Sequence, residues 1–358
     1  MLAKENFTAD YLRQLQKTTH RDPALLEKVI YAFGLLESLA RVEMPFTFKG
    51  GTALILLLNK PLRISTDIDI LVKPDTDIDE YIEKAAMIFP FVRYEESKRT
   101  AKTSIEKRHF RFYYISPLTD KEFNILLDVV FSENPYAEVQ SAEIKNDLLK
   151  TKEPVVCVNV PTINCLLADK LTAFAPHTTG ILFGIGKELE IIKQFYDTAV
   201  LIDRMDNFSE VKRTYDSVVN EELKYRGNNF SREDALKDTI MSAVCIAGRG
   251  KIRKDDYPNF LDGIGRIRNH VFESYSAESA IRQTGKTAYL AACILTDMSD
   301  FNRVKSSHKY LSVDFETEIF KKLMFVKKID LQCYGYLVET EKLIEENGIV
   351  LSLSNSGI

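Results

Sequence analysis

Apolar and polar positions change their period about halfway along the chain, near residue 161. Between 23 and 43 the apolar residues Leu26, Val29, Ile30, Phe33, Leu36 and Leu39 recur at helical spacing, which predicts an amphipathic helix. A short strand at 46–48 follows. The wholly apolar run 53–58 then reads as a helix, broken by Asn59, Lys60 and Pro61. Ile68, Ile70 and Val72 alternate with polar neighbours as a strand does. A helix is expected at 77–89. Two paired strands at 110–115 and 123–131 are expected around the turn 116–121, and a last short strand at 155–160. Beyond Thr162 the period is helical, with helices expected at 163–174, 187–204, 208–225, 231–246, 259–272, 288–298 and 314–327. The pattern divides the chain into an α/β domain, 1–161, and a mainly α-helical domain, 162–358.

Chemistry concentrates at the start of the first domain, in FKGGTALILLLNKPLRISTDIDILV. Strand alternation puts Asp67 and Asp69 on one face and turns Ile68, Ile70 and Val72 to the core. Two adjacent carboxylates repel unless a cation lies between them, and Mg²⁺, which prefers oxygen ligands, suits such a pair. Upstream, Gly50 and Gly51 offer bare backbone N–H groups to phosphate oxygens, and Thr52 falls near a helix N-cap where such groups cluster. Lys49, Arg63 and Ser65 flank these parts as further phosphate contacts. A phosphate cradle beside metal-binding carboxylates reads as nucleotidyl transfer.

Four blocks carry a family resemblance: KGGTAL from Lys49, RISTDIDI from Arg63, DKLTAF from Asp169 and IIKQFYDTAVL from Ile191. In these the chain resembles the AbiEii/AbiGii nucleotidyltransferase toxins, which include the MenT toxins and belong to the DNA polymerase β-like superfamily. Thr52 stands where many members carry serine, and Lys193-Gln194 where many carry Arg-Asp. The resemblance implies an α/β (α+β) nucleotidyltransferase fold with a mixed sheet, followed by helices that supply Lys170 and Asp197 to the cleft. It implies transfer of a nucleoside monophosphate from an NTP, with Mg²⁺, to an RNA acceptor such as the 3′ end of tRNA. It also implies a type IV toxin of abortive infection, encoded beside an antitoxin. Other members of the superfamily modify protein or small-molecule hydroxyls. A binding module that keeps the fold without turnover is the remaining alternative.

Asp128 interrupts the apolar strand EFNILLDVVF, where an unpaired carboxylate would be costly. The superfamily fold takes a third carboxylate from a strand beside the Asp-x-Asp strand. Asp128 therefore joins Asp67 and Asp69 as a metal ligand and as an aid to deprotonating the attacking hydroxyl. Lys170 sits in the apolar helix LLADKLTAF, where a lysine either reaches solvent or meets an anion. Its assigned role is to neutralise the β/γ-phosphates, with Asp197 orienting it or binding nucleotide, although the two could simply pair with each other. The stretch 175–186, rich in glycine and threonine, is a candidate flap over substrate. RIRNH at 266–270 reads as helix surface, and QTGKT at 283–287 lacks the first glycine of a P-loop because Ala280 occupies its place.

Composition narrows the setting. At 358 residues and 45% hydrophobic the chain can bury two cores. It has no stretch long and apolar enough to cross a membrane, and its charged start lacks a signal core, so a cytoplasmic protein is expected. Five cysteines without a Cys-x-x-Cys pair, all among apolar neighbours, suggest buried thiols. With a net charge of −4 the surface as a whole does not attract nucleic acid, so RNA needs a local patch. Lys98, Arg99, Lys102, Lys107, Arg108 and Arg111, followed by Phe110, Phe112, Tyr113 and Tyr114, form the one candidate. The simpler expectation is a charged loop leading into a core strand whose aromatics are buried.

Overall fold

A computed structural model of the chain describes residues 1–58, 61–97 and 106–352. It separates into two units, Met1–Thr162 with Asn269–Glu273, and Ile163–Arg268 with Ser274–Ile358.

In the first unit the chain runs α1 (Ala9–Thr19), α2 (Pro23–Arg41), β1 (Thr47–Lys49), α3 (Gly50–Leu57), β2 (Ile68–Val72), α4 (Asp79–Ala86), β3 (Arg93–Glu96), β4 (Lys107–Ile115), β5 (Glu122–Phe131), β6 (Val139–Glu143) and β7 (Cys157–Pro161). Pro23 begins α2 at the one place where its missing N–H costs nothing, and the Asp22 carboxylate caps the Ala24 N–H. The strands form one mixed sheet in the order β3-β4-β5-β2-β1-β7-β6. Only β2/β5 and β1/β7 are parallel. Helix α2 packs against β2, β5 and α4. Phe48, Ile68, Ile70, Phe110, Phe112, Leu127 and Val129 fill the buried face of the sheet.

That alternation fixes register. A slip of one residue would turn an apolar face outward, so the polar residues between these positions lie on the opposite face.

The second unit contains α5 (Ile163–Ala173), α6 (Glu188–Arg204), α7 (Phe208–Tyr225), α8 (Arg232–Ala247), α9 (Tyr257–Ile267), α10 (Ala277–Leu295), α11 (Glu318–Lys321), α12 (Val326–Ile329) and α13 (Leu331–Glu346). Helices α7, α8, α10 and α13 start on side-chain caps, among them a Ser231/Asp234 capping box at α8. Helix α10 packs on α8 and α13. A Cβ at Gly285 would overlap the Cys333 carbonyl, so the glycine of the QTGKT segment is a close-packing residue between two helices.

Several expectations shift. Edge strands β3 and β6, RYEE and VQSAE, and helices α1 and α13 were not foreseen. Helix α10 begins eleven residues earlier than the helix expected from 288, because its polar first turns hide the apolar period. The region expected as one helix at 314–327 holds the two short helices α11 and α12. Cys157 is exposed, since β7 alternates and turns it outward, whereas the other four cysteines are buried. No described helix is long and apolar enough to cross a membrane.

RIRNH is not simply helix surface. Helix α9 ends at Ile267, and the following residues 269–273 return to the first unit as an extended strap. There the Ile64 N–H donates to the His270 carbonyl at 2.6 Å, the Phe272 N–H donates to the Leu62 carbonyl at 3.0 Å, and Arg63 bridges Val271. A two-part division at residue 161 leaves this strap out.

Candidate active site

The polar face of the sheet carries the candidate residues in one transverse row. Lys49 on β1 lies opposite Asp69 on β2, Asp69 opposite Asp128 on β5, and Asp128 opposite His109 on β4. At about 4.8 Å between neighbouring strands, the row spans roughly 14 Å. Its members come from distant parts of the chain and meet only through strand pairing. Asp67 lies just before β2 and is exposed, and Asp69 is half-buried.

The glycine turn is built around Asp69. Gly50 has φ +79°, a left-handed conformation suited to glycine, and a Cβ there would overlap the Asp69 carboxylate. A Cβ on Gly51 would stand 2.5 Å from Arg63 Nη2 and 2.7 Å from Ser65 Oγ. The pair is therefore enclosed by Asp69 on one side and by Arg63 and Ser65 on the other. Helix α3 starts at this turn with no side-chain cap, so its first N–H groups point at whatever enters. Arg63 is buried, its Nη1 donating to the Ile64 carbonyl at 3.1 Å, and the strap pairs with the backbone on both sides of it.

Thr52 differs from its expected role. It is the third residue of α3, fully buried, and its hydroxyl donates to the Asp67 carbonyl at 2.6 Å. It ties the glycine turn to the carboxylate strand and does not offer a free hydroxyl to phosphate. Asp128 also has a partner that the sequence did not suggest. His109 Nδ1 lies 2.6 Å from Asp128 Oδ1, with the two side chains 20% and 40% exposed. Among the described residues no three His, Cys, Asp or Glu side chains form a ready-made metal cluster. The Asp69 carboxylate beside the uncapped helix start, with Asp67 two residues before it, offers hard oxygen donors of the kind Mg²⁺ takes when phosphates complete its shell.

Lys170 on α5 and Asp197 on α6 belong to the helical unit. There Lys170 Nζ lies 3.4 Å from Asp197 Oδ2, the side chains only 6% and 2% exposed. The stretch 175–186 is anchored over its first half. Asp238 accepts from the His177 N–H at 2.8 Å and the Thr178 hydroxyl at 3.1 Å, and His177 Nε2 lies 2.8 Å from Asp256 Oδ2.

Within the basic patch, Lys98, Arg99 and Lys102 lie outside the described residues. Arg108 pairs with both Glu96 and Asp79, its guanidinium held charged mainly by the bidentate bond to Glu96. Phe110, Phe112 and Tyr114 are buried, so these three rings are core and not a stacking platform for bases.

A mixed sheet with a glycine turn and an acidic row on its polar face is thus followed in the chain by a helical unit. The family model for the nucleotidyl transferase AbiEii toxin of type IV toxin–antitoxin systems matches residues 35–278. The chain belongs to this family and is a nucleotidyltransferase. Two solved structures from Helicobacter pylori resemble it. JHP933 is 13% identical with a TM-score of 0.43, the likeness covering 76% of this chain and 94% of that one. A protein described as a candidate nucleotidyltransferase is 13% identical with a TM-score of 0.44, covering 77% of this chain and 99% of that one. No curated protein matches the sequence.

Proposed function

We propose that this chain is the toxin of a type IV pair and transfers a nucleoside monophosphate from an NTP to a hydroxyl at the 3′ end of tRNA. The observation that carries the reading is the row Lys49–Asp69–Asp128, closed on its β1 side by a glycine turn that Asp69 itself touches. The neutralising antitoxin follows from the type IV toxin–antitoxin family, and the tRNA end from the sequence resemblance alone.

Asp67 and Asp69 would hold Mg²⁺, which when bound offsets the charge of the triphosphate and of the departing pyrophosphate. The N–H groups at Gly50 and Gly51 bind phosphate oxygens, and Lys49 and Arg63 add positive charge. Thr52 and Ser65 hold the turn in place. Asp128 accepts the proton of the attacking hydroxyl. As that O–H bond breaks, the oxygen bonds to the α-phosphorus, and the bond from that phosphorus to the bridging oxygen breaks, its electrons leaving with pyrophosphate.

The test incubates purified protein with each labelled NTP, Mg²⁺ and either total tRNA or cell lysate, then sequences RNA 3′ ends. Extended tRNA ends, absent with Asp69→Ala, support the reading. Label confined to protein or small molecules overturns the tRNA acceptor, and no transfer to any fraction overturns the reading itself.

A further inference from the structure

His109 and Asp128 are brought together by the longest ladder of the sheet, the antiparallel pairing of β4 with β5 from Lys107↔Val130 to Ile115↔Glu122. Phe110, Phe112 and Tyr114 are buried between the outward positions of β4, so moving His109 off Asp128 by one residue would expose three large rings. The 2.6 Å contact between His109 Nδ1 and Asp128 Oδ1 is therefore fixed by the core of the unit and not by loop geometry. On the other side of Asp128 stands Asp69, and beyond Asp69 stand Lys49 and the glycine turn.

This order gives the row a direction. An in-line displacement places the entering oxygen and the leaving pyrophosphate on opposite sides of the reacting phosphorus. The groups able to bind a polyphosphate, Gly50, Gly51 and Lys49, lie on the β1 side of Asp69. Asp128 and His109 lie on the β5/β4 side. Resting on the function proposed above, we propose that His109 is a positioning residue for this reaction. Its Nδ1–H donates to Asp128 Oδ1, turns the other carboxylate oxygen toward the attacking hydroxyl, and marks the β4/β5 half of the sheet face as the side from which the acceptor enters. A carboxylate at a half-exposed strand position is otherwise free to rotate, and loss of a group that orients an active-site ligand or base costs about 10–100-fold in rate.

The experiment compares wild type with His109→Ala and His109→Asn, the amide of asparagine being able to donate to Asp128 from nearly the same place. It measures kcat and KM in the transfer assay, NTP affinity by calorimetry in the absence of acceptor, and thermal melting. The expected result for His109→Ala is a 10–100-fold fall in kcat, an NTP affinity within about threefold of wild type, and an unchanged melting temperature. His109→Asn recovers most of the rate. Full activity of His109→Ala overturns the proposal. So does an equal loss of NTP affinity, an equal loss of melting temperature, or an asparagine variant as slow as alanine. Wild-type protein that transfers nothing overturns the proposed function, and this inference falls with it. Active wild type with no kcat-specific loss at position 109 overturns the inference alone.

Discussion

The two units treat charge in opposite ways. On the sheet face Asp67, Asp69 and Asp128 remain exposed or half-buried, next to a helix start with no side-chain cap. In the helical unit one cluster of charges is sealed and matched within itself. Arg253 Nη1 lies 3.3 Å from Asp238 Oδ1, with side chains 2% and 0% exposed. Burial pushes the Asp238 carboxyl up, against the opposing effects of His177, Arg253 and Thr178. The sealed cluster ties residues 177 and 178 to α8 and to the turn before α9, a structural task in which nothing external is needed. The acids of the sheet stand in register at exposed or half-buried positions, where the proposed function needs them. The sealed charge at Asp238 serves architecture, whereas the exposed and half-buried acids in register are the ones proposed to do chemistry.

Substitutions can separate the two. The largest expected effect is Asp69→Ala, which should lower kcat/KM in the transfer assay by at least about 1000-fold, near 4 kcal/mol. Its melting temperature should change far less than its activity, because Asp69 is half-buried on the polar face and not part of the core. A fall in stability matching the loss of activity would make Asp69 a structural residue. Next, Arg253→Met leaves Asp238 buried without its guanidinium and should cost about 3–5 kcal/mol in chemical denaturation. Adding Asp238→Asn, which removes the buried charge but keeps an acceptor for the His177 N–H and the Thr178 hydroxyl, should restore part of this, and the double variant should keep its transfer activity.

Gly50→Ala is intermediate. A side chain at φ +79° pressed on Asp69 should cost about 1–3 kcal/mol of stability and a larger share of NTP affinity, read by calorimetry. The smallest effect concerns Glu27, buried in α2, whose carboxyl is raised by burial despite the bond from Ser116. A raised folded-state value means that its contribution is fully present in acid and is lost as pH rises through that value. Glu27→Gln should therefore flatten the decline in stability between mildly acidic and neutral pH. A parallel pH dependence in the variant would assign that decline to other groups.

How much of this was legible depended on sequence separation. The glycine turn and the Asp-Ile-Asp strand lie within about two dozen residues, so their chemistry is readable before any folding. His109 was missed because an isolated histidine carries no signal, though its partner could have been counted from the hairpin. Six residues back from Ile115 and six forward from Glu122 arrive at His109 and Asp128. That count needs the turn pairing to one-residue accuracy. Polar edge strands such as β3 have no buried face to set an alternation, so their period is silent. The strap was hidden for another reason. Its residues continue the helical pattern of α9 in sequence, and only their partners at Leu62 and Ile64 pull them into extended pairing.

That strap gives the toxin a birth order. Asn269–Glu273 emerges about a hundred residues after Thr162. At translation speeds of about 5–20 residues per second, that is a delay of roughly 5 to 20 s. Until then the arginine beside the glycine turn lacks its backbone clamp, so a ribosome partway through this message carries a first unit still awaiting its last segment.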